Sequence, residues 1–222
     1  MASNLSLTEE NYLKTIFALS AEKKGAVNTS ALAKQINIAS SSVTDMLRKL
    51  SEKGYIAYEK YQGVTLSPTG RSAAINIIRK HRLWEVFLVE KLQFQWDEVH
   101  EIAEQLEHIR STELTARLYE YLGKPQFDPH GDPIPDEDGN FPNVQRKKLS
   151  DFTPGETVRI LGVNDDSPSF LQYLQQLGLA LGTELFIESK IDHDQSMWVK
   201  LSDSNKLMLS NISCQNIFCK SL

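Results

Sequence analysis

The 222-residue sequence is poor in cysteine, has no long apolar run and has no overall excess of positive charge. Its only cysteines are Cys214 and Cys219. Two thiols near the C-terminus are too few for a disulfide framework or a four-thiolate zinc site, so they read as free thiols in a reducing compartment. No segment approaches the roughly 20 consecutive apolar residues of a membrane helix. The opening MASNLSLTEE lacks the basic and apolar regions of a signal peptide, so a cytoplasmic protein without a membrane partner is expected. The formal charge of −5 is opposite in sign to that of most nucleic-acid-binding domains. No internal repeat is evident. What remains is a chain with 41% hydrophobic residues, enough for one large domain or two to three small ones.

The charge is unevenly spread. Residues 1–70 carry a net +2, residues 71–145 carry −6, and residues 146–222 carry −1. A mildly basic end followed by an acidic middle suggests separate tasks for the segments.

Along the chain, Ser6-Leu7-Thr8-Glu9 has the form of a capping box. Tyr12, Leu13, Ile16, Phe17 and Leu19 follow at helical spacing. Asn28-Thr29-Ser30 can cap a short second helix. Ser40-Ser41-Ser42 opens a third, with Val43, Met46, Leu47 and Leu50 on one face and Gly54 just beyond its end. Two strand-like runs, 55–58 and 64–66, flank a tip containing Gln62-Gly63 and read as a hairpin. Thr69 then caps a long helix over about 70–91, and one further helical stretch covers roughly 97–122. Residues 124–148 contain five of the eight prolines and read as a linker. The rest, with strand-like runs at 156–160, 184–188, 197–201 and 206–209 and one short helix near Phe170–Leu179, is a small β module.

Three helices and a hairpin are the order of a winged helix-turn-helix, whose third helix enters the major groove. The small hydroxyl residues Ser40, Ser41, Ser42 and Thr44 permit close approach. Arg48 and Lys49 can meet phosphate, and Asp45 could accept from a cytosine amino group or repel phosphate. The same shape also serves protein contacts, with Ser42 as a plain N-cap.

Three of the five histidines, His81, His100 and His108, lie within 28 residues of sequence alongside Glu85, Glu104 and Glu107. His81 and Glu85 are one helical turn apart. His100, Glu104, Glu107 and His108 share an arc of about 100° on the next helix. A solvated acidic face would look similar, but would normally include Lys or Arg. The carboxylates and imidazoles form the donor set of a hard-to-borderline divalent metal. No activated nucleophile or H-E-x-x-H motif accompanies them, so an enzyme is not expected.

Several stretches together resemble the DtxR/MntR family of metal-dependent transcriptional repressors. They are Thr8-Glu9-Glu10-Asn11-Tyr12-Leu13-Lys14-Thr15-Ile16, the SSSVTDMLRKL helix, Leu66-Ser67-Pro68-Thr69-Gly70-Arg71 and Arg79-Lys80-His81-Arg82-Leu83. Val99-His100-x3-Glu104-x2-Glu107-His108 and Pro129-His130-Gly131-Asp132-Pro133-Ile134-Pro135 complete the set. The resemblance implies a mostly α fold with β. It would comprise a winged helix-turn-helix domain (1–70), a helical dimerisation and metal-binding domain (71–123), a Pro-rich linker (124–148) and an SH3-like, FeoA-like barrel (149–222). It implies a homodimer that binds a palindromic double-stranded DNA operator, with Mn2+ or Fe2+ as corepressor at two sites per chain. By resemblance the primary site falls on Asn11, Glu104, Glu107 and His108. The second falls on His81, Glu85 and His100, with help from Asp166 and Ser169. His130 matches no ligand position and stays with the linker. Manganese-type members place two acids where this chain has Asn11 and Lys14. An ammonium has no lone pair to offer a metal, so a closely spaced manganese pair is not expected. The rival reading is a winged-helix regulator of a small organic ligand, and a metallohydrolase stands further off.

Overall fold

The structure is a computed structural model that describes residues 5–23, 25–59, 62–202 and 205–222. The chain divides into two compact units. One comprises Met1–His81, Glu104–Leu118 and Pro135–Asn140; the other comprises Arg82–Ala103, Tyr119–Ile134 and Phe141–Leu222.

The first unit begins with α1 (Leu7–Lys23), α2 (Thr29–Ile36) and α3 (Ser40–Glu52). The Ser6–Glu9 capping box forms in both directions, Ser6 N–H donating to Glu9 Oε2 at 2.8 Å and Glu9 N–H to Ser6 Oγ at 3.3 Å. Asn28 caps α2, its Oδ1 accepting from Ala31 N–H at 2.7 Å. Gly54, at φ +76°, follows α3 in the left-handed conformation that favours glycine. Antiparallel β1 (Ile56–Glu59) and β2 (Gly63–Leu66) form the wing, and Val27 bridges to Val64 on its open edge. Leu13, Ile16, Leu32, Val43, Leu47, Leu50 and Val64 bury their side chains in one core.

Helix α4 (Pro68–Leu92) starts two residues earlier than Thr69 predicts, because Ser67 is its cap: Gly70 N–H donates to Ser67 Oγ at 3.0 Å. A Cβ on Gly70 would sit 1.9 Å from the Tyr55 carbonyl oxygen, so glycine lets the wing exit pass against the helix start. The single helix expected over 97–122 is two, α5 (His100–Leu106) and α6 (Thr112–Tyr121). The break has a local cause. Ser111 Oγ accepts from Leu114 N–H at 3.2 Å and caps α6, while Glu107 turns inward and is fully buried.

The second unit contains the end of α4, the start of α5, and a six-stranded antiparallel sheet in the order β3-β8-β4-β5-β6-β7. The strands are β3 (Lys147–Lys148), β4 (Thr157–Val163), β5 (Glu184–Lys190), β6 (Met197–Leu201), β7 (Lys206–Leu209) and β8 (Ile217–Ser221). Register shifts in β4 and β5 bend the sheet into an SH3-like form. It encloses Val158, Ile160, Leu185, Ile187, Val199 and Ile217, with Leu171 and Leu174 of α7 (Pro168–Gln176) against them. A short α8 (Asn211–Gln215) precedes β8. The proline-rich stretch has no helix or strand before β3, as expected, yet it is packed. Asp128, His130 and Ile134 are buried, and His130 C=O accepts from Val163 N–H at 2.9 Å.

Candidate functional site

The first turn of α3 is open. Ala39 occupies its N-cap without a side-chain bond, so Ser40, Ser41 and Ser42 keep exposed hydroxyls that are not used as caps. Thr44 Oγ1 donates to Ser40 C=O at 2.9 Å, and Arg48 lies 3.7 Å from Asp45 on the same exposed face. Lys49 turns the other way and pairs with Glu9 at 3.2 Å. Of the expected DNA-facing residues, the hydroxyls, Asp45 and Arg48 therefore share one surface, while Lys49 helps tie α3 to α1.

Within the same unit, α1 carries two side chains onto the turn after α5. Glu10 Oε2 lies 2.6 Å from His108 Nδ1, and Lys14 Nζ donates to both oxygens of Glu107 at 2.8 Å. Lys14 Nζ also lies 3.5 Å from Glu104 Oε1. His81, from α4, brings Nδ1 to 2.5 Å from Glu107 Oε2. Arg110 donates to Leu5 C=O at 2.8 Å and holds the turn against the start of α1. Burial alone would raise the Glu107 pKa, but the His81 hydrogen bond and the Lys14 charge outweigh it and hold the carboxyl below its ordinary range. Asn11, on the same turn of α1, is exposed.

The second unit gathers another donor set around Glu85. His100 Nδ1 lies 3.5 Å from its Oε1, and His130 Nδ1 lies 3.7 Å from its Oε2. Ligand atoms of Glu85, Asp128 and His130 all lie within 4.8 Å of one another, and all three residues are buried. Asp128 Oδ1 accepts the backbone N–H groups of His130 and Asp132, each at 2.9 Å. His130 Nε2 lies 2.8 Å from the Trp96 carbonyl oxygen, which fixes the ring. Burial would lower the His130 pKa, but Glu85, Asp128 and the Trp96 carbonyl push it up to about 9. Burial, together with repulsion from Glu85 and Asp132, pushes the Asp128 carboxyl up. The donors are oxygen and imidazole nitrogen only, a set suited to Mn2+ or Fe2+.

The candidate residues thus fall into two places. Glu104, Glu107 and His108 meet α1, and Glu85 and His100 meet the proline-rich segment. His81 stands one turn before Glu85 on α4 and contacts Glu107. Asp166 and Ser169 are exposed around the start of α7, and Asp166 is outside the Glu85, Asp128 and His130 trio. Glu10, Asp128 and His130 join these clusters although sequence reasoning did not single them out as candidates. The signal for His130 was present in the Asp128-Pro129-His130-Gly131 string, where Gly131 has φ +84° and a Cβ would meet Leu161 C=O at 2.0 Å. Such a glycine marks a segment pressed against the barrel, not a loose tether. Among the described residues, no helix is long and apolar enough to cross a membrane.

The fold and these clusters define a winged-helix protein with buried carboxylate and imidazole donor sets and an SH3-like module. Residues 4–64 match the N-terminal DNA-binding domain of iron-dependent repressors, residues 67–136 match their metal-binding and dimerisation domain, and residues 147–221 match the FeoA domain. The diphtheria toxin repressor of Corynebacterium efficiens is 31% identical over 215 residues, which span 88% of this chain and 91% of that protein. An uncharacterised HTH-type transcriptional regulator of Methanocaldococcus jannaschii is 38% identical over 120 residues, 54% of this chain and 96% of that one. A solved structure of a manganese-dependent transcriptional repressor in complex with manganese superposes with a TM-score of 0.85 at 35% identity, covering 96% of this chain and 100% of the other. The chain belongs to the family of iron- and manganese-dependent transcriptional repressors.

Proposed function

We propose that this protein is a cytoplasmic repressor that binds a palindromic double-stranded DNA operator as a homodimer, with Mn2+ or Fe2+ as its corepressor at two sites per chain. It acts by binding, not by turnover. The observation that carries this reading is the direct attachment of the DNA-binding helices to a ligand cluster: α1 reaches Glu107 and His108 through Lys14 and Glu10. The first site uses Glu104, Glu107 and His108, with Glu10 and Asn11 approaching from α1. The second is built on Glu85, with His100, Asp128 and His130 as donors and Asp166 as the remaining candidate. His81 adjoins the first set through Glu107. A bound divalent ion supplies the positive charge that lets several carboxylates share one place. The residues do the rest. Drawing Glu10 and Asn11 toward Glu107 and His108 fixes α1, hence α3, and selects one spacing of the two recognition helices, which must reach half-sites about 34–36 Å apart.

Fluorescence anisotropy of operator DNA at fixed salt tests the reading. Affinity should rise when chelator is replaced by Mn2+ or Fe2+, and equal affinity in both conditions rejects it. Glu104→Ala combined with His108→Ala should remove the metal-stimulated part of DNA binding while leaving the circular dichroism spectrum unchanged. Retained stimulation would mean that other residues hold the ion.

A further inference from the structure

Glu107 is a carboxylate with no exposed surface, compensated by the Lys14 ammonium on both oxygens and by the His81 ring on one. Lys14 Nζ lies 2.8 Å from both Glu107 oxygens and 3.5 Å from a third oxygen, on Glu104. Two imidazoles border the same carboxylate: His81 Nδ1 at 2.5 Å from Oε2, and His108 Nε2 at 3.9 Å from Oε1. One positive centre among three carboxylate oxygens, with imidazole nitrogens at the edge, is the electrostatic arrangement that a divalent cation would otherwise provide. Lys14 also belongs to α1, so the ammonium ties the DNA-binding helices to this turn without any added ion.

We propose that Lys14 is the resident cation of the Glu104–Glu107 carboxylate pair, a covalently attached charge that a divalent ion must displace or work around at this cluster. The inference rests on the metal-responsive reading above and deepens it. It makes Lys14 the residue that sets how much free metal the cluster needs. Neutralising Lys14 removes the competitor and at the same time leaves Glu107 buried with only imidazoles beside it. Metal should then bind more tightly, and the metal-free chain should be less stable.

The test compares the full-length protein with Lys14→Met, which keeps the length and apolar stem, and with Lys14→Arg, which keeps the charge. Mn2+ calorimetry and thermal unfolding are read without DNA. For Lys14→Met, the Mn2+ step that Glu104→Ala with His108→Ala removes should tighten roughly tenfold or more. Its Tm in chelator should drop by roughly 5–10 °C, and excess Mn2+ should restore it. Lys14→Arg should behave like the parent chain. A Lys14→Met chain that folds only when Mn2+ is present also supports the proposal. Unchanged Mn2+ affinity in a folded Lys14→Met chain overturns it, as does a chain that fails to fold with or without Mn2+, because packing and not charge was then lost. If the parent chain answers to Mn2+ in DNA binding while Lys14→Met changes nothing, this inference fails and the repressor reading stands. If neither chain binds Mn2+ or Fe2+, both fail.

Discussion

Glu9 performs two tasks with one carboxylate. It closes the capping box of α1 through Ser6, and it gathers Lys53 at 2.8 and 2.9 Å and Lys49 at 3.2 Å, which fastens α3 to α1. Burial would raise its pKa, but Lys53, the Ser6 amide and Lys49 outweigh burial and bring it to about 2. The folded state therefore binds this proton more weakly than the unfolded chain. The stabilisation is complete above the ordinary value of 4.5 and drains away as pH falls toward 2. Glu9→Gln should cost about 1–2 kcal/mol at pH 7, the lysines being partly exposed and the pair correspondingly weakened by solvent. Urea unfolding at pH 7, 4 and 2.5 checks this: the gap between the parent and Glu9→Gln should narrow through that range. A constant gap would assign the effect to packing. His130 gives the opposite sign. Its ring is held protonated up to about pH 9, and a metal needs the ring lone pair. Metal binding near neutral pH should therefore release a proton that His130→Ala does not. Calorimetry in two buffers of different ionisation enthalpy reads this directly, and equal proton release from both chains would exclude His130 as a ligand.

At the scale of elements, the bulge in β4 and the bend at Gly131 fit one another. The β4–β8 register shifts between Ile160 and Gly162, and the Leu161 carbonyl oxygen would lie 2.0 Å from a Cβ at position 131. Gly131→Ala meets both a backbone clash and a φ of +84°, and should cost about 2–4 kcal/mol in unfolding free energy. It should also weaken metal binding by moving His130, which precedes it. Wild-type affinity in a destabilised Gly131→Ala chain would separate the bend from the site. Much of the architecture was legible because it repeats locally. The capping box, the apolar face of α3, the hairpin glycine and the alternation in β4 to β7 are all short-range patterns. The break after Leu106 was hidden because the apolar spacing Val99, Ile102, Leu106, Ile109 runs through it, and the local hydrogen bonds of Ser111 decide against it. β3 has two residues and α8 five, too few for either period to register. The donor clusters were half legible. Acids and imidazoles on α4 and α5 announced themselves by spacing, whereas Glu10 on His108 joins residues 98 apart in sequence. No local pattern carries that pairing, nor the place of the Lys14 ammonium.

For the whole molecule, the distribution of charge and the proposed mechanism make one joint demand. The segment holding α1 to α3 is net positive, while residues 71–145 carry −6, so the metal-free chain approaches DNA with its excess acid in the ligand-bearing part. Two divalent ions per chain would bring the formal −5 to about −1 and lower that repulsion. Part of any metal effect on DNA affinity would then be long-range and screened by salt, with a Debye length near 8 Å at physiological ionic strength. The other part, selection of one α1 and α3 placement, is short-range and resists screening. Raising the salt should therefore shrink the ratio of DNA affinities with and without Mn2+ to a plateau above one, even as both affinities fall steeply. A ratio that falls to one at high salt would reduce the corepressor to a neutralising charge, with no role for the contacts of α1 to Glu107 and His108. Linkage adds a second condition at every salt: operator DNA must tighten Mn2+ binding by the same factor by which Mn2+ tightens DNA binding. Mn2+ calorimetry with and without saturating operator supplies that factor. The thermodynamic cycle requires the two factors to agree, and a mismatch would show that the two titrations do not report the same coupled binding.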